Sequence, residues 1–291
     1  MLSRVLIASD GSEATDHMMD CAKDLVRLGA RQATLVHVFH VRNVGGLYEQ
    51  LKQSMLPRLE AQRKILEEAG LQVKVETPVG IPFVEINRLA VERRADLIVL
   101  GSLGASLIGD VLLGSTAYSV IRTAAIPVLL IRIEVAEGTT DGARCRALCA
   151  GLFRHILFPT DFSDTAERAL ACLEYIARET RPEVTLLHVQ DQTKIERHLK
   201  HKLDEFNEID TRRLEGVKAR LEQEGATRVH VDIPYGRPNA VILDRAGAND
   251  FTLILMGSNG RGAVKELFLG GVANNVARYA PLPVLFVPAV R

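Results

Sequence analysis

The chain contains no tryptophan, and its five tyrosines and nine phenylalanines bring aromatics to only 5% of 291 residues. Net charge is absent too: 36 Lys and Arg face 36 Asp and Glu. No global electrostatic pull draws such a chain to nucleic acid or to an anionic membrane, which leaves room only for a local basic patch. No apolar run approaches the roughly 18 residues that would span a bilayer, and the opening MLSRVLIASDGS is too short in apolar residues for a secretory signal. The expectation is a soluble, cytoplasmic protein with no membrane or nucleic-acid partner. Four cysteines in this length do not make a disulfide framework.

What is present is a duplication. RVLIASDGSEAT from Arg4 aligns with HILFPTDFSDTA from His155, ATLVHVF with VTLLHVQ, and VGIPFVEI with YGRPNAVI. The pairing covers nearly the whole chain, with a short insertion in the second copy between its second strand and this last match. The length suits two domains of about 130 to 150 residues, each able to bury its own core. Glu134 to Phe153, rich in Gly, Thr and Ala and without periodicity, reads as a connection. The expected division is 1–135, a linker over 136–152, and 153–291.

Within each copy strand and helix patterns alternate. Val5–Ala8, Thr34–Phe39, Val73–Thr77, Leu97–Leu100 and Pro127–Ile131 are short β-branched runs bounded by Gly, Pro or Asp. Met18, Ala22, Leu25, Val26 and Gly29 mark one face of a first helix. Leu51, Met55, Leu59, Gln62 and Leu66 mark a second, which in the other copy reads as longer, from Ile195 to Leu221. Pro82 and Pro238 stand where a third helix would begin. Alternating elements with continuously apolar strands predict an α/β fold, a parallel sheet covered on both faces, with its ligand crevice past the carboxyl ends of the strands.

At those ends the sequence repeats one spacing, Gly-x2-Gly-x9-Gly: Gly101, Gly104, Gly114, then Gly257, Gly260, Gly270. Bare glycines let backbone N–H groups approach a phosphate closely, and the third opens a helix whose N-terminus favours anions. Copy one follows with Ser115 and Thr116, copy two with Gly271 and Val272. The doubled motif, with GSNGRGAVKELFLG and APLPVLFVP, resembles the universal stress protein family across both halves. That resemblance implies tandem flavodoxin-like, doubly wound (Rossmann-like) domains, each with five parallel strands in the order 3-2-1-4-5. It also implies an adenine nucleotide, ATP or AMP, with Mg2+ alongside ATP, held by a stress-response regulator. The implied contacts are Ala8, Ser9, Asp10, Val38, Leu100, Gly101, Leu103, Gly104, Gly114, Ser115 and Thr116 in copy one. In copy two they are Pro159, Thr160, Asp161, Val189, Met256, Gly257, Asn259, Gly260, Gly270, Gly271 and Val272. In the family the last strand makes the dimer contact, which implies pairing of the two domains within the chain and association of two chains.

A hydroxyl bonded to a charged partner is worth about 1.5–3 kcal/mol, so copy two, lacking both, is expected to bind more weakly unless Asn259, Arg261 and Lys265 compensate. GDVLLGST (109–116) lacks a P-loop lysine. His37 and His188, flanked by apolar residues, read as satisfied buried histidines, and Cys21 and Cys172 as small core residues. Cys145, Cys149 and His155 lack a fourth metal ligand. No nucleophile with its base stands out, so no catalytic or metal residue is assigned. The readings that remain beside a nucleotide-binding regulator are a scaffold that needs no nucleotide and a slow ATP hydrolase.

Overall fold

The structure is a computed structural model describing residues 2–40, 46, 48–102, 113–135, 145–147, 151–195, 200–248, 250–260 and 269–289; for 13–14, 134–135, 145–147 and 200 it describes backbone only. The chain divides into two units, Met1–Ala150 and Gly151–Arg291.

The first unit carries strands β1 (Arg4–Ala8), β2 (Gln32–Val36), β3 (Gln72–Glu76), β4 (Leu97–Gly101) and β5 (Val128–Ile131). Strand β1 runs parallel to β2 and β4, β2 to β3, and β4 to β5. The order is therefore β3-β2-β1-β4-β5. The second unit repeats it with β6 (His155–Pro159), β7 (Glu183–Leu187), β8 (Arg228–Asp232), β9 (Leu253–Gly257) and β10 (Val284–Val287), giving β8-β7-β6-β9-β10. In both units the winding reverses beside the first strand, so a crevice opens beyond the ends of the first and fourth strands. The central strands are buried on both faces: Val5, Leu6, Ile7, Ile156, Leu157 and Phe158 are all 2% exposed or less. Each such side chain contributes roughly 1.5–3 kcal/mol by leaving water.

The helices of the first unit are α1 (Glu13–Met18), α2 (Ala22–Arg27), α3 (Tyr48–Glu68), α4 (Pro82–Glu92) and α5 (Ser115–Thr123). Those of the second are α6 (Asp164–Thr180), α7 (Leu203–Gln223), α8 (Pro238–Ala248) and α9 (Gly271–Tyr279). Pro82 and Pro238 do open helices. The single first helix expected in copy one is two, joined by a 3-10 turn over Met19–Cys21. In copy two Ser163 Oγ caps an unbroken helix by accepting from Ala166 N, whereas the Ser12 hydroxyl donates to Asp10 and caps nothing.

Other expectations need correction too. The second helix is no longer in copy two, since α3 and α7 both have 21 residues. Ile195 belongs instead to a separate four-residue helix, Gln192–Ile195, and Leu199 lies outside the described residues. Strand β2 stops at Val36, because the His37 N–H turns to Glu76 O and Phe39–His40 pairs separately with Val79–Gly80. Within the stretch read as a connection, Cys145–Ala147 pairs antiparallel with Ile133–Val135. Cys21 is fully buried, as expected of a core residue, and is also disulfide-bonded, its partner lying outside the described side chains. Cys172 is a free thiol that desolvation pushes up to about 12.

Candidate functional site

In the second unit the ends of β6, β7 and β9 and the start of α9 enclose a cavity of about 950 Å3. All eleven residues expected there from the sequence line it, from Pro159 at the end of β6 to Val272 in the first turn of α9. The Thr160 N–H donates to Leu187 O, tying the end of β6 to β7, and Thr160 Oγ1 accepts from Phe162 N. Asp161 Oδ1 accepts from Ser163 N, which holds the carboxylate at the cavity wall.

The glycines account for the cavity's bare wall. A β-carbon on Gly260 would come within 2.7 Å of Asp161 Oδ2, and one on Gly257 within 2.9 Å of Thr165 Cγ2. One on Gly271 would meet nothing within 4 Å, so that position faces open space. Gly270 caps α9, its N–H donating to Ser258 O at 2.9 Å. The N–H groups of the first turn, on Gly271, Val272 and Ala273, have no intrahelical acceptor and sit at the positive end of the helix dipole.

The opposite wall was not legible beforehand. It comes from α7, through Phe206, Ile209, Asp210 and Arg213, and from Gln190 beyond β7. Asp210 Oδ2 accepts from Gln190 Nε2 at 2.9 Å and lies 3.4 Å from His188 Nε2. His188 Nδ1 donates to Thr160 O at 2.8 Å, and its ring lies 4.6 Å from that of Phe162. The Arg213 guanidinium stands 5.3 Å from the centre of the same Phe162 ring, a cation–π contact. Phe162 takes a left-handed φ of 57° at the place where copy one has Gly11, φ 75°, a conformation that costs a bulky residue about 1–3 kcal/mol.

Aligning the buried leucines of α3 and α7 (Leu59 with Leu214, Leu66 with Leu221) places Met55 opposite Asp210, and the β2 and β7 registers place Phe39 opposite Gln190. Copy one is apolar where copy two is polar. A β-carbon on Gly11 would collide with the Met55 sulfur, and the rings of His37, Phe39 and Tyr48 stack edge to face in sequence. A signal existed in the sequence, since Met55 and Asp210 occupy one position of an apolar rhythm, but the insertion concealed their equivalence.

The first unit's expected residues gather at the matching strand ends. Ala8 ends β1; the Ser9 N–H donates to Val36 O; Leu100 and Gly101 end β4; Val38 follows β2. The Gly114 N–H donates to Ser102 O at 2.8 Å, as Gly270 does to Ser258, and Ser115 and Thr116 open α5. Asp10 Oδ1 accepts from Ser12 and Thr15, while Oδ2 is buried with no partner among the described residues. Leu103, Gly104, Arg261 and Lys265 lie outside the described residues. Among the described residues no group of three His, Cys, Asp or Glu could hold a metal ion, and no helix is long and apolar enough to cross a membrane.

Both histidines are hydrogen-bonded as expected: His37 is 8% exposed and its Nδ1 donates to Ser9 O at 3.0 Å. Burial lowers the His37 pKa, against the opposing pull of that bond and of the Asp10 charge. The unfolded chain therefore takes up a proton at about 6.5 and the folded unit only at lower pH. The stability this residue contributes is intact above pH 6.5 and declines as pH falls from there toward the lowered value. Thermal melts of the wild-type chain at pH 7.5 and 5.5 should show the first unit losing stability on acidification, and His37→Gln should remove that loss. An equal loss in the variant would mean other groups cause it.

The sequence model described as "Universal stress protein family" matches residues 1–132 and again 152–288. Universal stress protein MJ0577 of Methanocaldococcus jannaschii is 34% identical over 155 residues, which span 47% of this chain and 95% of that protein. A universal stress protein of Mycolicibacterium smegmatis is 25% identical over 300 residues, 97% of this chain and 96% of its own. Among solved structures, a universal stress protein from Archaeoglobus fulgidus superposes with a TM-score of 0.76 at 25% identity, covering 99% of both chains.

Proposed function

The chain belongs to the universal stress protein family, as a tandem of two such domains, and from that premise we propose that its second unit is an adenine-nucleotide site through which a stress response is regulated. The observation that carries this reading is the cavity of about 950 Å3 at the switch point, whose wall is glycine backbone on one side and the α9 N-terminus on another. The apolar residues Val189, Ile209, Ile242 and Met256 suit a purine base. Asp161 suits ribose hydroxyls, and the N–H groups of Gly271, Val272 and Ala273 suit phosphate oxygens. Charge-assisted backbone donors serve there in place of the Ser and Thr hydroxyls that copy one has. Mg2+ would arrive with a triphosphate, since the described wall supplies no metal site of its own.

The first unit carries one feature in favour of a second, weaker site: the buried Asp10 Oδ2 has no partner among the described residues, and a ribose hydroxyl would provide one. Against it, Met55, Phe39 and Tyr48 crowd the corner where copy two opens. We therefore expect about one nucleotide per chain. Denaturing freshly purified protein and separating the released nucleotides by chromatography measures this directly. About two per chain would make both units sites. None, together with no thermal stabilisation by ATP and Mg2+ where about 2.7 kcal/mol is due at 100 times Kd, would leave the nucleotide-independent scaffold.

A further inference from the structure

The two copies differ most in charge at the other end of their sheets, where the strands begin. In parallel register, Arg4, Gln32 and Gln72 lie side by side across β1, β2 and β3, and Leu6, Thr34 and Lys74 form the next row on the same face. The matching rows in the second unit are His155, Glu183 and Arg228, then Leu157, Thr185 and His230. There both histidines find partners. His155 bonds to Asp250 at 3.1 Å and to Thr185 at 3.2 Å, and His230 Nε2 lies 2.9 Å from Glu183.

Both carboxylates are missing from the first unit. Gln32 stands in place of Glu183, and Arg94 in place of Asp250. What remains is a cleft of about 270 Å3 lined by Arg4, Gln32, Thr34, Gln72, Lys74 and Arg93. Its cations outnumber their partners. Among the described residues Glu76 answers both Lys74, at 3.0 Å, and Arg93. Arg4 Nε is buried with no hydrogen-bond partner among the described residues, and Asp96 is engaged by the backbone N–H groups of Ser3 and Arg4. The dipole of α4 accounts for cations such as Arg93 and Arg94 just past its C-terminus, but not for Arg4 or Lys74, which stand on strands. A guanidinium donor buried without an acceptor is costly unless one enters the cleft, and a guanidinium flanked by an ammonium and amide donors matches the geometry of a phosphoryl group.

We propose that this cleft binds a small multivalent oxyanion, a phosphate group either free or carried on a short stem, with Arg4 as its anchor and Lys74 and Arg93 as flanking charges. The site belongs to the first unit alone and is independent of the nucleotide cavity in the second. Calorimetric titration of the full-length chain with inorganic pyrophosphate and, separately, with glycerol 2-phosphate tests it. Binding of either probe is expected to weaken at least tenfold in Arg4→Gln and severalfold in Lys74→Gln, whose exposed side chain makes a surface ion pair with Glu76 that contributes little to folding. Arg228→Gln, which stands in the second unit where the first has Gln72, should change nothing. A preference for pyrophosphate marks the free anion as the ligand, and one for glycerol 2-phosphate marks the phosphomonoester. No binding of either probe by the wild-type chain, or equal binding by Lys74→Gln and the wild type, overturns the proposal.

Discussion

Replacing Gly260 with valine is expected to lower the affinity of the second unit for ATP at least a hundredfold while leaving the unliganded chain folded. A β-carbon there would lie 2.7 Å from Asp161 Oδ2 and no nearer than 3.7 Å to the next atom of that side chain. The carboxylate is the far end of the side chain, so it can swing aside at the cost of the bond it accepts from Ser163 N, about 0.5–1.5 kcal/mol, without moving the backbone. Swinging aside removes the group proposed to hold the ribose, and a bond of that kind is worth about 1.5–3 kcal/mol. The valine methyls then stand where the loop must approach the ligand as bare backbone. Together these losses reach about 2.7 kcal/mol, which is a hundredfold in Kd. Gly257→Val would be a poorer test, because its β-carbon also meets Thr165 backbone at 3.2 Å and would strain the fold. Calorimetry with ATP, beside the nucleotide content of the purified variant, reads the outcome. If Gly260→Val keeps its nucleotide and Ser115→Ala loses it, the working site is in the first unit.

That contrast marks what the sequence could and could not disclose. The glycine spacing, the helix-opening prolines and the strand runs are local signals; Gly101 and Gly257 stand at strand ends with Gly260 just beyond the second, Gly114 and Gly270 before helices, and Pro82 and Pro238 at helix starts, while Gly104 lies outside the described residues. The sheet order in each unit follows from the same alternation once right-handed crossovers are imposed. The helical wall of the cavity was hidden because it depends on a long-range match: Asp210 meets Gln190 and His188 only after α7 packs back across the end of β7. In the sequence it is one polar residue in a mostly charged amphipathic helix. Hydroxyl content alone favoured copy one, since Ser115 and Thr116 are visible as letters. The crowding by Met55 and the openness at Gly271 are properties of packing, and packing decides how much room a ligand has. The basic cleft was invisible for a related reason. The chain's charges cancel overall, and only the strand register shows that two carboxylates present in one copy are gone from the other.

Phe158→Ala should destabilise the second unit by about 3–5 kcal/mol, the usual cost of emptying a buried aromatic position. Phe158 is 1% exposed on β6, which is flanked on both sides by partners β7 and β9, so the surroundings can collapse only a little into the void. Against a total stability of about 5–15 kcal/mol for a domain this is a large fraction. For a unit of this size it corresponds to a fall of roughly 10–20 °C in melting temperature. Leu6→Ala, at a fully buried position on β1, should do the same to the first unit. If each unit has its own core and folds on its own, differential scanning calorimetry will resolve two transitions, and each substitution will lower only one. The transition lowered by Phe158→Ala should be the one that ATP raises, because a ligand stabilises only the unit whose native form binds it. ATP raising the other transition would move the site to the first unit. A single transition lowered by both substitutions would mean the units unfold together, and the stabilisation from one nucleotide would then be shared by the whole chain.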